Sequence, residues 1–265
     1  MNLPAFYRFN ACFDKSQNVK ILASLPMYDW PEIRPFTDQF WAAFAHHAGL
    51  SGALDHESPH DALWHQPELL FSQTCGYPFT HEFKGLLHYV ATPHYAVDGC
   101  KGANYSSFIF ARQHLSPAEL RKAKPAVNST DSMSGYLALR LALSASGAGG
   151  DFFTTPVVTG SHLASLAAVQ NGLADVCAID CVCVALAKKH RPEALRGLIE
   201  LGRSPSVPSL PFVTRAGDIG KFRVALDQTF KDPQLREARE AMLLSGVSVL
   251  PADAYDIISQ LEASL

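Results

Sequence analysis

The run Asn128-Ser129-Thr130-Asp131-Ser132-Met133-Ser134-Gly135-Tyr136 crowds hydroxyl and amide groups between an apolar strand and an apolar helical pattern. Backbone N–H groups left unpaired at a helix start, the positive end of the helix dipole and several hydroxyl donors together make a site for phosphate, phosphonate, sulfate or carboxylate. The plainer alternative is that Asp131 or Ser132 caps the helix while the other hydroxyls face water. A second stretch, Thr159-Gly160-Ser161-His162, has the same placement between strand and helix. There Ser161 can cap, and His162 either donates to an oxyanion or is a solvated helix-start residue. Asp180 ends the apolar segment Asp175 to Ile179. It serves as the N-cap of the next helix, or as acceptor for a protonated phosphate oxygen or a ligand ammonium. Nearer the start, Ser72-Gln73-Thr74-Cys75-Gly76-Tyr77-Pro78 places amide, hydroxyl and phenol groups at a strand end, and Tyr28 follows the strand that ends at Leu25. For both tyrosines, packing competes with recognition.

These groups need elements to hold them. Val19 to Leu25 reads as a compact strand, and Phe36, Phe40, Trp41 and Phe44 repeat at helical spacing after Pro31-Glu32. A strand at Leu69 to Ser72, a short helix through His81 and Phe83, and a strand from Leu86 to Ala91 follow. After the loop at Asp98 to Gly102, strands are expected at Ser107 to Ala111, Pro125 to Asn128, Thr155 to Val158 and Asp175 to Ile179. Helices are expected at Ser134 to Leu143 and Ser161 to Gln170. A strand at Gly197 to Leu201 leads through a Pro/Ser-rich stretch to three helix-like segments that close the chain. The alternation by itself implies a mostly parallel sheet. Two such β/α units joined by turn-rich connections fit two lobes with a cleft between them, the ligand lying beyond the carboxyl ends of the strands.

The 265 residues, 48% of them hydrophobic and 18% charged, describe an ordinary globular chain without the roughly 20-residue apolar run of a membrane span. A net charge of −3, with no basic cluster, excludes an electrostatic footprint for nucleic acid or an anionic bilayer. A bound anion must therefore be held by local geometry. The eleven histidines include His46-His47 and a loose series, His56, His60 and His65, with no metal-ligand spacing, so neither a metal nor a cofactor is expected. Cys177, Cys181 and Cys183 lie in or just after an apolar strand, where unpaired cysteine acts as a small hydrophobe.

Taken in order, Ala23-Ser24-Leu25-Pro26-Met27-Tyr28-Asp29, the Leu70 to Pro78 segment, Asp131 to Tyr136, Thr159 to His162, Ala178-Ile179-Asp180 and Leu210 to Arg215 resemble the phosphate, phosphite and phosphonate substrate-binding proteins of ABC transporters. The resemblance implies an α/β, two-lobed type II periplasmic binding-protein fold, with mixed sheets flanked by helices and a ligand cleft between the lobes. Residues 1–96 and 196–265 would form one lobe and 97–195 the other. It also implies a phosphorus oxyanion held by Tyr28, Gln73, Thr74, Tyr77, Ser132, Met133, Ser134, Gly135, His162 and Asp180, without catalysis and with an ABC permease as partner. Where the family commonly has a hydroxylic or small residue this chain has Met133, which removes one donor. Cys75 and Cys100 match family motif positions, and a disulfide between them is implied for an exported protein. Family likeness implies a periplasmic address. The residues from Met1 to Lys20 contain no export signal, and Ala11-Cys12 lacks the hydrophobic segment of a lipoprotein site, so the chain as written is expected in the cytoplasm. The competing function is a cytoplasmic enzyme or ligand sensor on the same fold, acting on a small organic anion, with His162 and Asp180 as the acid/base pair.

Overall fold

Strands from both ends of the chain build one sheet, and the strands between them build another. The computed structural model describes residues 22–148 and 155–265; Ala11-Cys12 and the first part of the expected Val19–Leu25 strand lie outside these. In chain order β1 (Leu22–Ser24), β2 (Leu69–Gln73) and β3 (His88–Tyr95) start the first sheet. The chain then crosses over through β4 (Cys100–Lys101) and β5 (Asn104–Tyr105). The second sheet comprises β6 (Ser107–Ala111), β7 (Pro125–Val127), β8 (Val157–Val158), β9 (Val176–Asp180) and β10 (Ile199–Arg203). A return through β11 (Val207–Pro208) leads to β12 (Phe212–Thr214) and β13 (Leu244–Ser248), which complete the first sheet in the order β1-β2-β12-β3-β13.

The sheets are mixed rather than mostly parallel. Because β12 comes back from the other half of the molecule, it enters between β2 and β3 antiparallel to both, and β13 adds antiparallel to β3. In the second sheet β7, β8 and β9 are parallel to one another, β6 runs antiparallel to β9, and β10, antiparallel to β6, shares the direction of the other three. Pairing of β10 with β6 also moves the expected lobe boundary. Residues 199–203 hydrogen-bond into the second sheet, so the return crossing falls after Arg203 and not between 195 and 196. β13 replaces part of the helical tail because β3 runs on through Pro93 to Tyr95 and offers it a partner, a long-range cause that local pattern does not contain.

Each sheet is covered by helices through an apolar stripe. In the helix Arg34–His47 the buried positions are Thr37, Phe40, Trp41, Phe44 and Ala45, the spacing of one helical face. Phe44 meets Phe71 of β2 at 4.3 Å between ring centroids and Phe222 of the helix Ile219–Lys231 at 5.6 Å. Each buried ring contributes roughly 1.5–3 kcal/mol. The two crossing segments are tied to each other. β5 pairs with β4 on one side and with β11 on the other, and the Ser209 amide donates to the Ala103 carbonyl at 2.8 Å. This small three-stranded sheet stands in the hinge position between the two large ones.

Candidate functional site

Parallel pairing explains why separate stretches of sequence converge. β7, β8 and β9 run side by side in the same direction, with Val127 opposite Val158 and Ala126 opposite Cys177. The turns that follow them, at 128–132, 159–161 and 180, therefore emerge at one edge of the sheet. Facing that edge across a cleft of about 620 Å³ are Pro26, Tyr28, Trp30, His60, Trp64, Cys75, Pro78 and Phe83 from the first half.

At the first turn Ser132 caps its helix, its Oγ accepting from the Gly135 amide at 3.0 Å, which leaves the serine proton free to be donated. The helix opens with a wide, π-type turn over Met133–Leu137, an irregularity that clusters at functional sites. Gly135 is required there: a Cβ would lie 1.9 Å from Asn128 Oδ1. At the second turn Ser161 caps through the Ala164 amide, and Gly160 takes a φ of +86°. His162 and Ser134 meet, Nε2 to Oγ, at 3.0 Å. With the ring proton on Nε2 the imidazole donates to Ser134, and the serine proton is left for the cleft. Burial pulls the His162 pKa down to about 4, so the ring is neutral at neutral pH although one edge opens onto the cavity.

At the third turn Asp180 is the N-cap of the helix Cys181–His190, its Oδ1 accepting from the Val182 amide at 2.7 Å and the Cys183 amide at 3.4 Å. Its Oδ2 accepts from the Tyr28 hydroxyl at 2.8 Å, a bond that spans the cleft from one half of the chain to the other. Burial pushes the Asp180 pKa up to about 6 against the pull of these three donors. Two further contacts join the halves: Arg191 and Glu32 pair through two hydrogen bonds of 2.7 and 3.1 Å, and the Met133 amide donates to Cys75 Sγ at 3.4 Å. Among the described lining residues there is no Lys or Arg, whereas Asp61, Glu82, Asp131 and Asp180 all line the cleft. An anion here is met by neutral donors.

Of the residues singled out from the sequence, Tyr28, Ser132, Ser134, His162 and Asp180 are brought together on the cleft, and Cys75 joins them. The others turn elsewhere. Gln73 donates to the Tyr95 hydroxyl at 2.9 Å and the Leu210 carbonyl at 3.0 Å, fastening β2 to the return segment. The Thr74 hydroxyl donates to the Cys75 carbonyl, and the Tyr77 hydroxyl donates to Glu262 of the last helix at 2.7 Å while its ring stacks on His81. Met133 packs in the core, and the Gly135 amide is used up by Ser132. The Cys75–Cys100 disulfide is not formed; both are free thiols, and the sulfur beside Cys100 is that of Cys181, at 3.3 Å. Trp30, His60, Trp64 and Asn128 line the cleft without having been singled out; only Asn128 carried a signal, as the first residue of the hydroxyl-rich run. Among the described residues no group of three or more His, Cys, Asp and Glu side chains could hold a metal ion, and no helix is long and apolar enough to cross a membrane.

The profile of a family described as "ABC transporter, phosphonate, periplasmic substrate-binding protein" matches residues 68–247, about two thirds of the chain. No curated protein matches. Among solved structures, a binding protein component of an ABC phosphonate transporter from Pseudomonas aeruginosa superposes with a TM-score of 0.71 at 16% identity, covering 91% of this chain and 85% of its own. PhnD1 from Prochlorococcus marinus, solved in complex with methylphosphonate, gives 0.69 at 14% identity over 92% of this chain and 98% of its own. XAC2383 from Xanthomonas citri, solved with a chloride ion, gives 0.69 at 18% identity over 92% and 96%. At these identities the structures speak for the fold, the two-lobed type II periplasmic binding-protein architecture.

Proposed function

Because the chain belongs to the family of periplasmic phosphonate-binding proteins of ABC transporters, we propose that it binds one phosphorus oxyanion, phosphate, phosphite or a phosphonate, in the cleft between its two sheets and presents it to a permease. The observation that carries this reading is the convergence of the Ser132 and Ser134 hydroxyls with neutral His162 at adjoining strand ends. Hydroxyl donors, with the His162 imidazole orienting that of Ser134, bind oxyanion oxygens without a fixed counter-charge, and such hydrogen bonds to a charged partner contribute roughly 1.5–3 kcal/mol each. Asp180 completes the recognition. A carboxylate repels a bare anion but accepts from a protonated oxygen or an ammonium, so it favours a ligand that brings a proton. The lobes close on the ligand, with Tyr28 following Asp180 across the gap, and the chain returns its cargo chemically unaltered. Its place of work is the periplasm, as for the family.

Calorimetric titration of protein that has been unfolded and refolded, to strip carried-over ligand, tests the reading with phosphate, phosphite, methylphosphonate, 2-aminoethylphosphonate and sulfate. Micromolar or tighter binding of one phosphorus compound, with sulfate at least about tenfold weaker, is expected. Silence across the panel, or sulfate binding as tightly as the best phosphorus compound, overturns it.

A further inference from the structure

Cys100 and Cys181 face each other with sulfurs 3.3 Å apart although they stand 81 positions apart in the chain. Their surroundings are built for that approach. Gly99, at φ +95°, lies so close to the helix Cys181–His190 that a Cβ on it would come within 2.6 Å of the Cys181 Cβ and 3.2 Å of its sulfur. Any side chain at 99 would push the two strands of chain apart. The Cys181 amide donates to the Ser106 carbonyl at 3.2 Å, and the Ser106 amide to the Gly99 carbonyl at 2.9 Å, so the backbones on both sides are held in register. The remaining described cysteines are differently placed: Cys75 Sγ is occupied by the Met133 amide, and Cys177 and Cys183 are buried.

The location gives the pair its meaning. Cys100 belongs to β4, in the small sheet that joins the two crossing segments, whereas Cys181 is the first residue of the helix that Asp180 caps at the cleft. We propose that Cys100 and Cys181 are a redox-convertible pair, which under oxidising conditions closes to a disulfide and fastens the hinge hairpin to the half of the molecule that carries the hydroxyl-rich turns. Cys100 is partly exposed and Cys181 is buried, which sets the order of events. The Cys100 thiolate attacks one sulfur of a small disulfide such as oxidised glutathione and expels a glutathione thiolate, leaving a mixed disulfide. Cys181 then loses its proton, attacks Cys100 Sγ and expels the second glutathione. Two thiols become one disulfide, and two electrons and two protons end on two molecules of glutathione. In the mixed disulfide burial still holds the Cys181 thiol proton tightly, so the second step is the slow one.

None of this depends on which anion the cleft accepts. The reduced full chain is incubated with oxidised glutathione, alkylated and digested with trypsin without reduction. Mass spectrometry is expected to find peptide 85–101 joined to peptide 141–188. The link is absent from Cys181→Ala and from Cys100→Ala and kept in Cys75→Ala; if Cys181→Ala does not fold, Cys100→Ala, at the more exposed site, gives the same reading. Amide hydrogen exchange of residues 96–106 is expected to slow at least about tenfold in the linked protein. Full alkylation of Cys100 after oxidation, a link that survives Cys181→Ala, or unchanged exchange in the hinge overturns the proposal.

Discussion

The two walls of the cleft are made differently. On the second-sheet side, strand ends release the chain directly into helices, and serine, histidine and aspartate occupy the first positions of those helices. On the first-sheet side the lining is Tyr28, Trp30, Trp64, Pro78 and Phe83, and the polar groups there are the exposed His60, Asp61 and Glu82. One wall offers donors whose direction is fixed by backbone, and the other offers shape. Grip and fit are thus separated in the sequence, and a change on one wall should not resemble a change on the other.

The sharpest break is at Ser134. Ser134→Asp sets a carboxylate at the helix start beside His162, where the proposed anion would sit, and affinity should fall more than about 100-fold; Ser134→Ala, which removes one donor only, should cost about 10–100-fold. Calorimetry of both variants separates charge from donor loss, and equal affinities would remove Ser134 from the grip. Next in size is the pH dependence of stability. Asp180, with its pKa raised to about 6, withdraws stability as pH climbs from about 4 to 6. His162, held down to about 4, withdraws it as pH falls from its ordinary value near 6.5 to about 4. The two slopes oppose each other across nearly the same window, each on the order of 3 kcal/mol. His162→Gln should leave a protein that grows more stable toward pH 4, and Asp180→Asn one that grows less stable; urea midpoints taken through that range decide, and two flat profiles would refute the assignment. The smallest effect belongs to the other wall. His60→Ala, at an exposed lining position, should shift anion affinity less than about threefold, and a larger loss by calorimetry would make that wall part of the grip.

Much of the cleft's polar wall was legible because capping chemistry and anion chemistry use the same residue types. Ser132, Ser161 and Asp180 each accept a helix-start amide, a local rule visible in the sequence, and their strands then carry them to one edge. Gln73, Thr74 and Tyr77 were misleading for a related reason. A strand end tells which residues are near an edge but not which way each side chain turns, and here distant partners, the Tyr95 hydroxyl, the Leu210 carbonyl and Glu262, decide the direction. Trp30 and Trp64 carried no signal at all, since a buried aromatic in a core and one in a cleft wall look alike in a sequence. The expected parallel order likewise failed where the chain crosses back, because β12 owes its place to a segment more than a hundred residues upstream.

That placement has a consequence for how the chain is made. All five strands of the second sheet, residues 107 to 203, leave the ribosome before β12 does. The second half can therefore close its sheet during synthesis, with β5 and β11 tying its two ends together. The first half cannot. β2 and β3 are not joined until residues 212–214 slide between them, and the far edge of β3 waits longer for β13, so the edges of β2 and β3 that β12 will cover stay unsatisfied through the translation of more than a hundred codons. Until Phe212 has been made, neither edge can find its native partner.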